Sequence, residues 1–155
     1  MRDMTLQDQF GRRITDLRIS VTDRCNFRCF YCRSADPENY QQHEQILSWP
    51  ELERLGQVFH TLGIRKVRIT GGEPLVRQGV ENFIARMSQV GFEDLSMTTN
   101  GHLLSERCQQ LLEAGLKRIN ISLDSLDAVR FEKITRTKAF ASVTAIRSTP
   151  SQRPS

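Results

Sequence analysis

At 155 residues the chain has the length of about one domain, enough for a substantial core, and no segment approaches the ~20 apolar residues of a membrane span. The net charge of +4 does not make a nucleic-acid footprint. Four of the 22 basic residues (Arg136, Lys138, Arg147, Arg153) fall after position 135 with no acidic residue among them, leaving 18 of each sign before it. Met1 to Phe10 has neither the basic start and apolar run of an export signal nor a transit composition, so a cytoplasmic protein with no nucleic-acid and no membrane partner is expected.

In chain order, Leu17 to Thr22 alternates strictly and is rich in β-branched residues, which predicts a strand ending at a cysteine-rich loop. Ala35 to Gln45 is polar and aperiodic, a surface connection. Ser48 then caps a helix, with Glu51 completing a capping box, Pro50 in the first turn and Leu52, Leu55, Val58, Phe59 and Leu62 on one face; Gly63 ends it. The plan repeats: a strand from Lys66 to Thr70, the turn Gly71-Gly72-Glu73-Pro74, and a helix with Val80, Phe83, Ile84 and Met87 on one face. A third unit runs from the strand Leu95 to Thr99 through Asn100-Gly101 to a helix starting at Ser105 and ending near Gly115. A fourth runs from the strand Arg118 to Leu123 to a short helix capped by Asp127. Such alternation predicts an α/β fold with a parallel sheet and right-handed crossovers. From Ala139 to Ser155 the chain is rich in Ser, Thr, Pro and Arg with little to bury, so residues 1–138 read as the folded unit and 139–155 as a disordered or poorly packed tail.

Because side chains alternate along a strand, each strand separates into an apolar and a polar set. The apolar sets are Leu17, Ile19, Val21; Val67, Ile69; Leu95, Met97; and Ile119, Ile121, Leu123. The polar ones are Arg18, Ser20, Thr22; Arg68, Thr70; Ser96, Thr98, Asn100; and Asn120, Ser122, Asp124. With helices over the apolar face, the other face carries arginines, hydroxyls and amides. It is either solvated or lined up for a polar ligand, and the cysteine loop and Gly-Gly turn at carboxyl ends of strands favour a ligand.

Cys25, Cys29 and Cys32 form a Cys-x3-Cys-x2-Cys run, three thiols close enough in sequence to converge on one soft metal centre without a fourth close cysteine. In a chain with no export signal this use favours a metal site over disulfides. A structural zinc site completed by His43 is the alternative, but it leaves the Gly-Gly-Glu-Pro turn unexplained. Cys108, on an apolar helix face, reads as a core residue.

The cysteine spacing with Tyr31 before its third member, after a first strand, and the Gly-Gly-Glu-Pro turn after the second, resemble the radical S-adenosylmethionine superfamily. The stretches Phe10 to Arg12, Leu17 to Cys29, Val67 to Leu75, Thr98 to Gly101 and Asn120 to Leu126 resemble its GTP 3′,8-cyclase family, over a span from about Phe10 to Thr137. Where that family usually has Met-Pro after the third cysteine, this chain has Arg33-Ser34.

The resemblance implies a partial (β/α) radical-SAM barrel of about four β/α units. It implies a [4Fe-4S] cluster held by Cys25, Cys29 and Cys32 with one open iron site for S-adenosyl-L-methionine. Tyr31, Gly72 and Ser122 are then the cofactor contacts, and Arg18, Arg68 and Thr98 the contacts to GTP. The implied activity is a lyase-type conversion of GTP to (8S)-3′,8-cyclo-7,8-dihydroguanosine 5′-triphosphate in molybdenum-cofactor biosynthesis, with a reductant protein and a homodimer as expected partners. The family's further β/α units and its second, C-terminal cluster have no counterpart here, so the chain reads as an incomplete copy. A catalytically incompetent cluster-binding fragment and a peptide-modifying radical enzyme are the other readings. No catalytic side chain is assigned beyond the cluster.

Overall fold

The computed structural model describes residues 5–32, 36, 38, 40–42 and 45–146. Strands β1 (Asp16–Ser20), β2 (Lys66–Thr70), β3 (Asp94–Thr99) and β4 (Arg118–Ile121) form a sheet in the order β1-β2-β3-β4, every neighbouring pair parallel. Helices α1 (Trp49–Thr61), α2 (Val80–Val90) and α3 (Leu104–Glu113) connect successive strands, and α4 (Ala128–Thr135) and α5 (Phe140–Thr144) follow β4. Parallel neighbours cannot be joined by a tight turn, which is why each pair is separated by a helix. No helix among the described residues is long and apolar enough to cross a membrane.

The expected alternation sorts the sheet. Ile19, Val67, Ile69, Leu95 and Met97 are buried in one cluster with Leu52, Phe83, Ile84, Met87, Leu104 and Leu111 of the helices. Full burial of such side chains contributes roughly 1.5–3 kcal/mol each. α1 and α2 pack closely because position 56 is glycine; a Cβ there would lie 2.6 Å from Met87 Sδ and Cε. The predicted capping box is present, with Ser48 N and Oγ both donating to Glu51 Oε2 at 2.7 Å. Asp127 Oδ1 accepts from Arg130 N at 2.7 Å and starts α4 as expected. Cys108 is partly buried against the main core.

Three expectations are corrected. β1 ends at Ser20 rather than Thr22, although Val21 N still donates to Thr70 O at 2.9 Å. The apolar set of β4 is covered only at Ile119, which packs against the main core: Ile121 and Leu123 are 42% and 38% exposed, because α4 spends its buried Phe131 on Phe27 of the cysteine loop instead. The third concerns the tail. Ala139 to Ile146 is folded, with Ala139 and Val143 buried beside Phe27 and Phe131, and with His102 Nδ1 and Ser142 Oγ 3.0 Å apart. One helical turn is too short to show a period, and its partners Phe27 and His102 are remote in sequence. Residues 147–155, Arg33-Ser34 and His43 lie outside the described residues.

Candidate functional site

The cysteine loop leaves the carboxyl end of β1 and is gripped from two sides. On one side the turn after β2 docks through Gly72 N to Thr22 O at 2.7 Å and Glu73 N to Arg24 O at 2.8 Å. This contact demands the glycine pair: a Cβ on Gly71 would sit 2.5 Å from Thr22 O, and one on Gly72 would collide with the Arg24 and Asp23 carbonyls. On the other side Arg28 N and Phe30 N donate to Thr135 O and Ile134 O, at 3.0 and 3.1 Å. Those are carbonyls of the kind that a helix end leaves unpaired. Phe27 meets Phe131 edge to face, centroids 5.9 Å apart.

Glu73 ties this grip to β3. Its side chain is 1% exposed as a residue and accepts three bonds: Leu75 N (3.0 Å) and Thr99 Oγ1 (2.8 Å) on Oε1, and Asn100 N (2.7 Å) on Oε2. Burial pushes its carboxyl above the usual range, opposed first by the Asn100 N–H and then by the other two donors. Asn100 in turn donates through Nδ2 to Asn26 Oδ1 at 2.8 Å and reaches Cys25 Sγ at 3.8 Å.

None of the three loop cysteines is in a disulfide, and all three open onto one cleft, shared with Thr70, Gly71, Gly72, Thr98, Asn100, Ser122, Asp124 and Tyr31. Burial pushes the Cys25 thiol up, opposed by the Phe27 N–H and reinforced by Glu73 and the neighbouring thiols. Burial likewise raises Cys29. The Tyr31 hydroxyl donates to Asp124 Oδ1 at 2.7 Å, and the phenol is pushed well above its usual range, first by that bond and then by burial. The Cys25 and Cys29 thiols, which burial holds back from ionising, suit with Cys32 beside them a cationic metal centre, which stabilises such sulfurs as thiolates. As they stand, no three His, Cys, Asp or Glu side chains among the described residues are gathered into an ion's ligand shell.

One strand row below, toward the amino ends of the strands, Arg18, Arg68, Ser96 and Arg118 stand side by side in register across the sheet. They line a second depression with Lys66, Asp16 and Asp94, in which Arg118 Nη2 pairs with Asp94 Oδ2 at 2.5 Å. Two residues along a strand is about 7 Å. The row therefore adjoins the cysteine cleft on the same sheet face.

The structure thus brings Cys25, Cys29, Cys32, Tyr31, Gly72, Ser122 and Thr98 to one cleft, and Arg18 and Arg68 to the adjoining depression. Sequence reasoning left Arg118 out of the polar set, although it shares the parity of Asn120. It also left Glu73 without a role, and no local signal shows a carboxylate bonding to a strand 26 residues away.

A sequence profile of the Radical SAM superfamily matches residues 19–147, and the chain belongs to that superfamily. Its parallel sheet resembles Streptococcus suis SuiB bound to S-adenosylmethionine (TM-score 0.63, 23% identity, 80% of this chain and 28% of that one). It also resembles BtrN in complex with AdoMet and 2-DOIA (TM-score 0.57, 18% identity, 79% and 55%). At those identities the likeness establishes the fold, an open arc of a β/α barrel.

Within the superfamily the chain is 53% identical over 137 residues to GTP 3′,8-cyclase 2 of Pseudomonas aeruginosa, covering 88% of this chain and 41% of that protein. It is 52% identical over 134 residues to GTP 3′,8-cyclase of Geobacter sulfurreducens, covering 86% and 41%. The chain thus spans about two fifths of the length of these relatives.

Proposed function

We propose that this chain carries the cluster, cofactor and part of the substrate site of a GTP 3′,8-cyclase of molybdenum-cofactor synthesis. The observation that carries the reading is the adjacency of the cysteine cleft and the arginine row on one polar sheet face. Cys25, Cys29 and Cys32 hold a [4Fe-4S] cluster, which when bound with S-adenosyl-L-methionine supplies one-electron cleavage of the sulfonium and a hydrogen-abstracting radical. Gly72 presents backbone at the cleft, while Tyr31 and Ser122 flank it and orient the cofactor. Arg18 and Arg68 offer guanidinium forks to the triphosphate of GTP, and Thr98 stands between the two sites. A reductant protein supplies the electron, and the setting is cytoplasmic.

A second reading rests on the outer edge of the sheet. Ile121, Leu123 and the 83% exposed Leu126 leave the β4 side of the cleft open. A site open to water does not protect a radical. On this reading the residues here bind a cluster through the loop cysteines, Cys108 being spent on the core, and complete no turnover.

Anaerobic reconstitution with iron and sulfide tests the shared part: about four irons per chain are expected. Cys25→Ala, Cys29→Ala and Cys32→Ala each abolish loading, whereas Cys108→Ala retains it. Loading that survives a loop-cysteine variant sinks the assignment. Incubation with GTP, S-adenosylmethionine and reductant then separates the two readings, since a cyclised product excludes the incompetent fragment.

A further inference from the structure

The three cysteines are not equivalent in their surroundings. Cys25 Sγ faces two N–H donors, the Phe27 backbone at 3.4 Å and Asn100 Nδ2 at 3.8 Å. The first belongs to the cysteine loop itself. The second comes from the end of β3, 75 residues away, and is held there from three directions. Asn100 N donates to Glu73 Oε2 at 2.7 Å, Asn100 Oδ1 accepts from His102 N at 3.0 Å, and Nδ2 also donates to Asn26 Oδ1 at 2.8 Å. Because Oδ1 is engaged by His102, the amide is oriented with its NH2 toward the loop, and an amide has two N–H bonds to share between Asn26 and Cys25. Side chain and backbone are therefore both fixed, and the N–H dipole at Cys25 does not depend on a mobile group.

Resting on the cluster reading above, we infer that Asn100, positioned by Glu73, tunes the reduction potential of the cluster by donating an N–H to the Cys25 sulfur. Hydrogen bonds to ligating sulfurs are among the main determinants of iron–sulfur potentials. Adding an electron makes the sulfurs more electron-rich, so a donor stabilises the reduced state more than the oxidised one and raises the potential. Asn100 thus makes the cluster easier to reduce, while its contact to Asn26 only holds the loop.

The discriminating variant is Asn100→Asp, which keeps Oδ1 for the His102 N–H and the backbone bond to Glu73 but replaces the donor by an anionic oxygen. Asn26→Ala is its control, removing the other partner of the amide. The readout is an EPR-monitored redox titration of the anaerobically reconstituted chain, with iron content and Tm measured alongside. For Asn100→Asp the ratio of reduced to oxidised cluster at fixed potential is expected to fall about tenfold, which is ~59 mV for one electron. Asn26→Ala is expected to change it less than twofold. An unchanged ratio in Asn100→Asp overturns the inference, as does an equal shift in both variants, which would assign the effect to loop packing.

If Asn100→Asp loads no iron, pulsed EPR of reduced Asn26→Ala labelled with side-chain 15N-asparagine takes its place. A 15N hyperfine coupling is expected there, and its absence overturns the inference. A wild-type chain that takes up no iron refutes the cluster reading and the inference together, whereas a loaded wild type with an unshifted Asn100→Asp refutes the inference alone.

Discussion

A carboxylate as buried as that of Glu73 is tolerated because every bond it accepts comes from a donor that would otherwise be unpaired inside the fold. Two of those donors, Thr99 and Asn100, lie at the end of β3, and one, Leu75 N, opens the 3-10 turn Pro74–Val76. Glu73→Gln keeps the shape but must turn its NH2 against one of the three. A buried donor left facing a donor costs about 1–3 kcal/mol. Chemical denaturation at pH 7 should show that loss, and an unchanged midpoint would mean that the network relaxes freely. The glycines beside it act by size: Gly71 and Gly72 are required by backbone contact with the cysteine loop, whatever further use the cleft makes of them.

At the scale of elements, α4 and α5 hold the back of the cysteine loop. Phe131 is 1% exposed and joins Phe27, Ala139 and Val143, with Cys25 and Cys29 packed at the cluster's edge. Phe131→Ala should cost about 3–5 kcal/mol and lower iron loading as well as stability, because the loop loses its support. Iron loading equal to wild type in a folded Phe131→Ala chain would show that the loop holds its shape alone.

The start of α1 gives a pH signature. The Glu51 carboxyl is held below its usual range by the Ser48 hydroxyl and then by the Ser48 N–H. Its folded pKa is thus lower than its unfolded value of about 4.5, so the cap contributes fully above that pH and its contribution is lost as pH falls through the folded value. Glu51→Gln should therefore have a lower Tm than wild type at pH 7, and the gap should close toward pH 3. A gap independent of pH would remove the charge from the explanation.

For the molecule as a whole, the parallel register decides what the polar face can bind. Arg18, Arg68 and Arg118 share one row, balanced in part by Asp16 and Asp94 one row down. Arg18 and Arg68 are direct cross-strand neighbours of like charge and repel, which favours an anion beside them. On the proposed function, Arg68→Ala should weaken GTP binding by tenfold or more, since a hydrogen bond to a charged group contributes about 1.5–3 kcal/mol, while guanosine binding should change little. Calorimetry with both ligands reads the difference, and equal losses for the two would place Arg68 elsewhere than at the phosphates.

Much of this was legible in the sequence because it is periodic or short-ranged. Period-2 and helical patterns located four strands and the helices between them, and the Cys-x3-Cys-x2-Cys run and the Gly-Gly-Glu-Pro turn pointed to the cleft that the cysteines and both glycines line. The capping residues Ser48 and Asp127 stood where local hydrogen bonding requires them. Tertiary structure alone decided the rest. It buried Ala139 and Val143 of an apparent tail, left Ile121 and Leu123 at an open edge, aligned Arg118 with Arg18 and Arg68, and ran a hydrogen-bond chain from Glu73 through Asn100 to Cys25. Each of these depends on strand register or on partners tens of residues apart. A pattern read within one segment carries the direction of a side chain, but not the identity of what it meets.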